Sequence, residues 1–272
     1  EQSRLDFHEQ AMRALCQLVD SLRGEPRATD TTETAVSAER ADQPTDAPPA
    51  DGATPEVPKA PEMPDTGDTG QNLLAFCSHH WRAVRHGLFG DFDSALEACE
   101  QAARHLEAAR GLFVQADHCF QHALSLLARP LAADAERNRA RLRQAEPSVE
   151  RLRRWAARAP MNFAHKLLLV EAEQARVSAS NGLAMQRMGE AILLARRHGH
   201  RHDEALACER EASLYRALGR DDVAELALRN AADAFGAWGA TRKADDLKRR
   251  CRQPVGALPL DRRIGRHRVG AR

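Results

Sequence analysis

Two stretches of the chain carry the same spacing of small and bulky residues. Gly219 is followed at +12 by Ala231 and at +16 by Phe235. Gly90 is followed at +12 by Ala102, at +16 by Leu106 and at +19 by Ala109. A glycine allows a tight turn, a small residue lets two helices approach, and a bulky residue one turn later fills the groove above it. A third copy fits if Ala179 takes the glycine place, with Ala191 at +12 and Ala195 at +16. Ala179 stands 40 residues before Gly219, near the period of paired helices. The spacing predicts an all-α chain of repeated helical hairpins, which make surfaces for binding rather than pockets for chemistry.

Composition agrees. Charged residues make up 29% and aromatics only 4%, the profile of a helical protein rich in Ala, Leu and Arg. Helices are expected at 72–88, 92–109, 112–128, 131–145, 147–158, 161–179, 182–198, 202–217, 221–237 and 240–250, with breaks at Gly, Pro or Asp. Residues 3–22 also carry helical spacing, closed by Arg23 and Gly24. Residues 25–70 change character, with 11 acidic against 3 basic side chains and almost no large apolar ones. Such a stretch buries too little surface to offset the entropy of ordering. The expected organisation is a helix of the repeat region at 1–24, a disordered acidic linker at 25–71, a tetratricopeptide-like α-solenoid at 72–250 and a basic tail at 251–272. The tail from Arg242 holds 11 Lys or Arg against 3 acidic residues.

Net charge is +1, so the whole molecule offers no strong field to nucleic acid, and neither nucleic acid nor membrane is an expected partner. No apolar run approaches the roughly 20 residues of a membrane span. The six cysteines are scattered without a Cys-x-x-Cys pair, which fits a reducing, cytoplasmic setting. Residue 1 is Glu, inside a helical pattern, so the chain reads as a piece of something longer.

From residue 161 the words become specific. MNFAHKLLLVEAE (161–173) is followed by HDEALACEREASLYRALG (202–219), then by AADAFGAWGA (231–240) and Lys243. These resemble the helical region of large bacterial hybrid signalling proteins. Proteins of that family join a serine/threonine-kinase-like domain, an AAA-type ATPase, this tetratricopeptide-like region, a GAF sensor and a histidine kinase. GDFDSALEACE (90–100) and the 3–24 helix look like earlier parts of the same region. The linker departs from the family loop, which is usually richer in Phe and Ser, and residues 254–272 match no sensor module. The resemblance implies a non-catalytic regulatory module whose partners are proteins or neighbouring domains of the same polypeptide. An alternative is the solenoid of a large ATP-dependent transcriptional activator, in which a DNA-binding module would follow.

Chemistry is sparse. There is no phosphate-cradling Gly-x-x-x-x-Gly-Lys-Ser/Thr loop and no kinase motif set. The resemblance therefore implies ATP chemistry in other domains, and no catalytic residue, cofactor or metal is expected in this chain. His118 and His122 share a helix face as zinc ligands can, but two ligands do not complete a site. His198, His200 and His202 surround Gly199 and read as cations favouring a helix C-terminus. Trp238 reads as a packing anchor against the last helix. Gly90, Ala102, Leu106, Ala179, Ala191, Gly219, Ala231, Phe235 and Trp238 thus form a structural signature, not a site.

Overall fold

The computed structural model describes residues 20, 22, 23 and 69–252. Every element among them is helical. Helix α1 (Thr69–Leu88) is followed by α2 (Phe92–Ala103), a 3-10 turn (Leu106–Ala109), α3 (Phe113–Leu127), α4 (Ala135–Arg158), α5 (Pro160–Val177), α6 (Asn181–Arg197), α7 (Arg201–Ala217), α8 (Asp221–Trp238) and α9 (Thr241–Arg252). Residues 20, 22 and 23 are also helical. The rest of the expected 1–24 helix, the linker up to residue 68 and the tail beyond 252 lie outside the described residues.

Local chemistry sets these boundaries. The Asp91 carboxylate accepts from the Ser94 N–H at 3.1 Å and caps α2, and Asp134 caps α4 through the Glu136 N–H at 2.8 Å, each satisfying a donor that the helix itself cannot. Pro160 opens α5 in its first turn, where a missing N–H costs nothing. Four later turns share one form. Residues 179, 199, 219 and 239 all have positive φ and follow one another in steps of 20. In each, the next N–H reaches back over the turn: Ser180 to the Ala175 carbonyl, His200 to Ala195, Arg220 to Tyr215 and Ala240 to Phe235, at 2.8–2.9 Å. This closes the end of the helix in the manner of a Schellman motif.

Three of those four residues are glycine. The fourth is Ala179, at φ 57°, so the residue expected in the glycine place does adopt the left-handed backbone. An L-residue there is strained by roughly 1–2 kcal/mol, whereas glycine adds about 0.4–1 kcal/mol of unfolded-chain entropy. Ala179→Gly is therefore expected to raise stability by up to about 1 kcal/mol. Urea unfolding should show a higher midpoint at unchanged slope; a lower midpoint would mean that the strain is not there.

Two expectations need correction. Pro147 does not break the chain into two helices, because α4 runs through it for 24 residues. Ala145, Val149, Leu152 and Ala156 are buried along one stripe, while Pro147 lies on the exposed side. Packing of that stripe holds the helix against the roughly 3 kcal/mol that an interior proline costs. The expected 92–109 helix instead stops at Ala103, and Leu106 falls in the 3-10 turn. There Ala102 and Ala109 still pack with Phe76 of α1.

Each helix packs on its successor, and α3 and α5, like α5 and α7, also touch. The signature residues Ala191, Ala195, Ala231 and Phe235 are buried between helices. In α8 the buried set Ala224, Ala227, Leu228, Ala231, Ala232 and Phe235 repeats every three or four residues, and its small members allow close approach. One main apolar cluster runs from Leu22 through α3 to Leu247 of α9. Among the described residues no disulfide joins the cysteines, and burial pushes the Cys99 thiol up to about 12. No described helix is long and apolar enough to cross a membrane.

Candidate functional site

A cavity of about 370 Å³ lies where α1, α3, α5, α7 and the α8–α9 turn converge. Helical spacing aims its walls. Trp81, Val84 and Leu88 of α1 recur at every third or fourth position and face it. Phe113, Asp117, Phe120 and Leu124 of α3 do the same from the other side, as expected of residues sharing one helix face. Gly87 brings these two helices close, since a Cβ there would stand 2.2 Å from the Gln121 amide nitrogen. That amide donates to the Ala83 carbonyl at 3.2 Å. Leu22 and Arg23 close one edge, held by the Thr241 hydroxyl donating to the Arg23 carbonyl at 2.9 Å.

The deep end is charged. Lys166 of α5 is 4% exposed and reaches Asp117 and Asp203, each at 2.9 Å. Its ammonium also sits 4.4 Å above the Phe120 ring. The second Asp117 oxygen meets His80 Nε2 at 3.1 Å, and the second Asp203 oxygen meets His165 Nε2 at 2.7 Å. Burial alone would raise both carboxyls. Lys166 and the histidine hydrogen bonds outweigh it and hold both well below the usual carboxylate range. Burial would likewise lower Lys166, but the two carboxylates keep it above its ordinary value. The trio is thus locked in its ionised form.

Histidines ring this trio. His165 and His200 stack at 4.3 Å between centroids, and His200 Nε2 donates to the Met161 carbonyl at 2.9 Å. His202 lies 5.2 Å from Trp238, ring to ring. Burial lowers the pKa of both His165 and His202. His165, His200 and Asp203 carry ligand atoms close enough to surround a cation. The geometry argues against one. Near-parallel stacked rings send their in-plane lone pairs side by side instead of towards a shared point, and the Lys166 ammonium already occupies the other Asp203 oxygen.

Sequence reasoning placed some of these residues differently. Trp238 is 40% exposed and lines the cavity instead of anchoring the last helix. Of the three histidines around Gly199, only His198 ends a helix. His200 stands at the position before the first residue of α7, without a side-chain cap hydrogen bond, and His202 sits in its first turn, so the helix C-terminal reading does not hold for these two. His122 Nδ1 bonds the Ser148 hydroxyl at 3.0 Å, while His118 packs edge-on to Phe76; the two do not converge on one point. None of the other signature residues lines the cavity: Ala102, Ala191, Ala231 and Phe235 are buried between helices, Leu106 is half-buried in the 3-10 turn, and Gly90, Ala179 and Gly219 are exposed in turns. A cavity was itself not expected from a repeat that makes surfaces.

Lys166 and Asp203 were missed, yet a signal was present. Phe163, Lys166, Leu169, Val170, Glu173 and Val177 form the buried stripe of α5, so two charges interrupt an apolar face seven residues apart. Asp203 and Arg210 interrupt α7 with the same step. They pair across: Glu173 meets Arg210 at 2.7 Å just as Lys166 meets Asp203. Opposite charges at one step on two apolar stripes are a readable cue.

No protein-family model matches the chain, and neither does any curated protein or solved structure.

Proposed function

We propose that the described helices form a tetratricopeptide-like α-solenoid that acts as a non-catalytic binding and regulatory module, with the cavity as its effector site. In the setting implied by the family resemblance, it would belong to a multidomain bacterial signalling protein and would bias ATP-dependent neighbours by binding differently in two states. Three observations support the solenoid: the 20-residue step of the turns, the packing of near neighbours in the chain, and the common offset of 37 residues in Lys166–Asp203 and Glu173–Arg210. That offset places α5 and α7 in parallel register, as alternate helices of stacked hairpins would be.

The cavity carries the functional reading. Two of the chain's three tryptophans face it in a sequence with only 4% aromatics, and cavities of this size with a few fixed polar groups are typical ligand sites. A binding role fits the charges better than catalysis. Asp117 and Asp203 are held below, and Lys166 above, their ordinary values, so none is poised to exchange a proton near pH 7.

The test is a thermal-shift panel of small metabolites spanning cations, anions and neutral compounds, run on the full chain. At least one compound should raise Tm by about 2 °C or more at saturation, as preferential binding to the native state requires. Val84→Trp, which fills the cavity, should abolish that shift. A panel without effect, or a shift that survives Val84→Trp, would overturn the reading.

A further inference from the structure

We propose that the cavity selects an organic monocation with an apolar or aromatic body, an amine or a quaternary ammonium. The inference rests on the cavity being a ligand site and adds the ligand's chemical class.

Charge counting comes first. Two carboxylates, Asp117 and Asp203, share one ammonium, Lys166, at the deep end. The neighbouring His165 and His202 are driven by burial towards their uncharged form. Carboxylates thus outnumber ammonium groups by one at the deep end, where fields act more strongly than in bulk water. Arg23 is the other cation of the lining, but it is exposed at the rim, where water screens it. The Asp117 side chain keeps 19% of its surface open while facing the cavity, so the excess charge is reachable. Each Asp117 oxygen has one neighbour, Lys166 or His80, and so keeps a lone pair for a further donor.

Aromatic faces supply the second argument. Trp81, Phe113, Phe120 and Trp238 surround the space, and electron-rich rings attract cations, best when desolvated. The protein already uses this device on itself, with the Lys166 ammonium over Phe120. A dication would bring a second charge up against Lys166, and an anion would face the uncompensated carboxylate. A volume of about 370 Å³ leaves room for the body that carries the charge.

Three probes sharing one ring decide the matter on the full chain: benzyltrimethylammonium, benzyl alcohol and phenylacetate, followed by calorimetry and tryptophan fluorescence. The cation should bind at least about tenfold tighter than either of the others. Trp238→Ala, at a half-exposed position, should weaken the cation about fivefold without altering the melt. Asp117→Asn should reduce the preference for the cation over the alcohol to less than about threefold. Equal or tighter binding of phenylacetate or benzyl alcohol overturns the cation class but leaves the cavity a ligand site. Failure of all three probes to bind overturns the cation class, while the metabolite panel and Val84→Trp decide separately whether the cavity is a ligand site. Unchanged affinity in Trp238→Ala overturns the aromatic contribution and with it the proposal. If Asp117→Asn does not fold, the probe series and Trp238→Ala still decide.

Discussion

Lys166→Met is expected to destabilise the protein by about 3–5 kcal/mol, because it leaves two buried carboxylates facing each other without their cation. The methionine keeps the volume and most of the apolar stem, so lost packing is a small part of the effect. Asp203 is 4% exposed and Asp117 19% at the side chain, so water replaces little of what Lys166 supplied. Two further outcomes separate this cause from a packing defect. Adding Asp117→Asn and Asp203→Asn to Lys166→Met should restore most of the loss, since neutral amides remove the uncompensated charge. In the single variant, the deficit relative to wild type should also shrink as pH falls, because protonation of one aspartate then relieves the repulsion. Urea titrations at pH 7.5 and pH 5 would measure both. A deficit of the same size at every pH would point to packing instead.

Acid should unfold the protein through its histidines before its carboxylates. His118 is 5% exposed, its Nδ1 is buried without a hydrogen-bond partner, and burial together with the nearby His80 and His122 pushes its pKa from 6.5 down to about 3. A histidine with a depressed folded pKa is neutral in the native state. Its contribution is complete above pH 6.5 and is lost as pH falls towards the folded value, because the unfolded chain binds the proton first. At pH 5 that window amounts to about 2 kcal/mol for His118 alone, from roughly 1.4 kcal/mol per unit. His122, His165 and His202 are shifted in the same direction by burial and should add to the loss. Asp117 and Asp203 are depressed carboxylates, whose contribution fades only below the ordinary carboxylate range. His118→Leu should therefore cut about 2 kcal/mol from the difference in unfolding free energy between pH 7.5 and pH 5. A pH difference identical to that of wild type would sink this account.

The helical architecture was largely legible because it is local. Turn glycines, apolar stripes and the +12 and +16 spacing all act within a helix or between neighbours in the chain, and Ala179, expected in the glycine place, has the left-handed backbone. Pro147 shows where local rules stop. Whether a proline breaks a helix depends on what the rest of that helix buries, here the stripe from Ala145 to Ala156. The cavity was illegible for a similar reason. Its walls come from positions as distant as Leu22, Asp117, Lys166 and Ala240, and no single segment announces that those faces converge. Trp238 illustrates the gap: the sequence reads it as a packing anchor against the last helix, whereas it is 40% exposed at the end of α8 and lines the cavity. Lys166 could have been suspected from its position on an apolar stripe, yet its two partners sit on different helices.

The hydrogen bond from Thr241 to the Arg23 carbonyl joins positions 218 residues apart. Ribosomes add roughly 5–20 residues per second, and helices form far faster than that. Neighbouring helices can therefore settle one after another as they emerge, while the wall made by Leu22 and Arg23 waits roughly 10–45 s for its counterpart at Thr241. Completion of the cavity therefore waits until Thr241 has emerged, so nascent fragments ending before the α8–α9 turn should be folded in part but lack this wall.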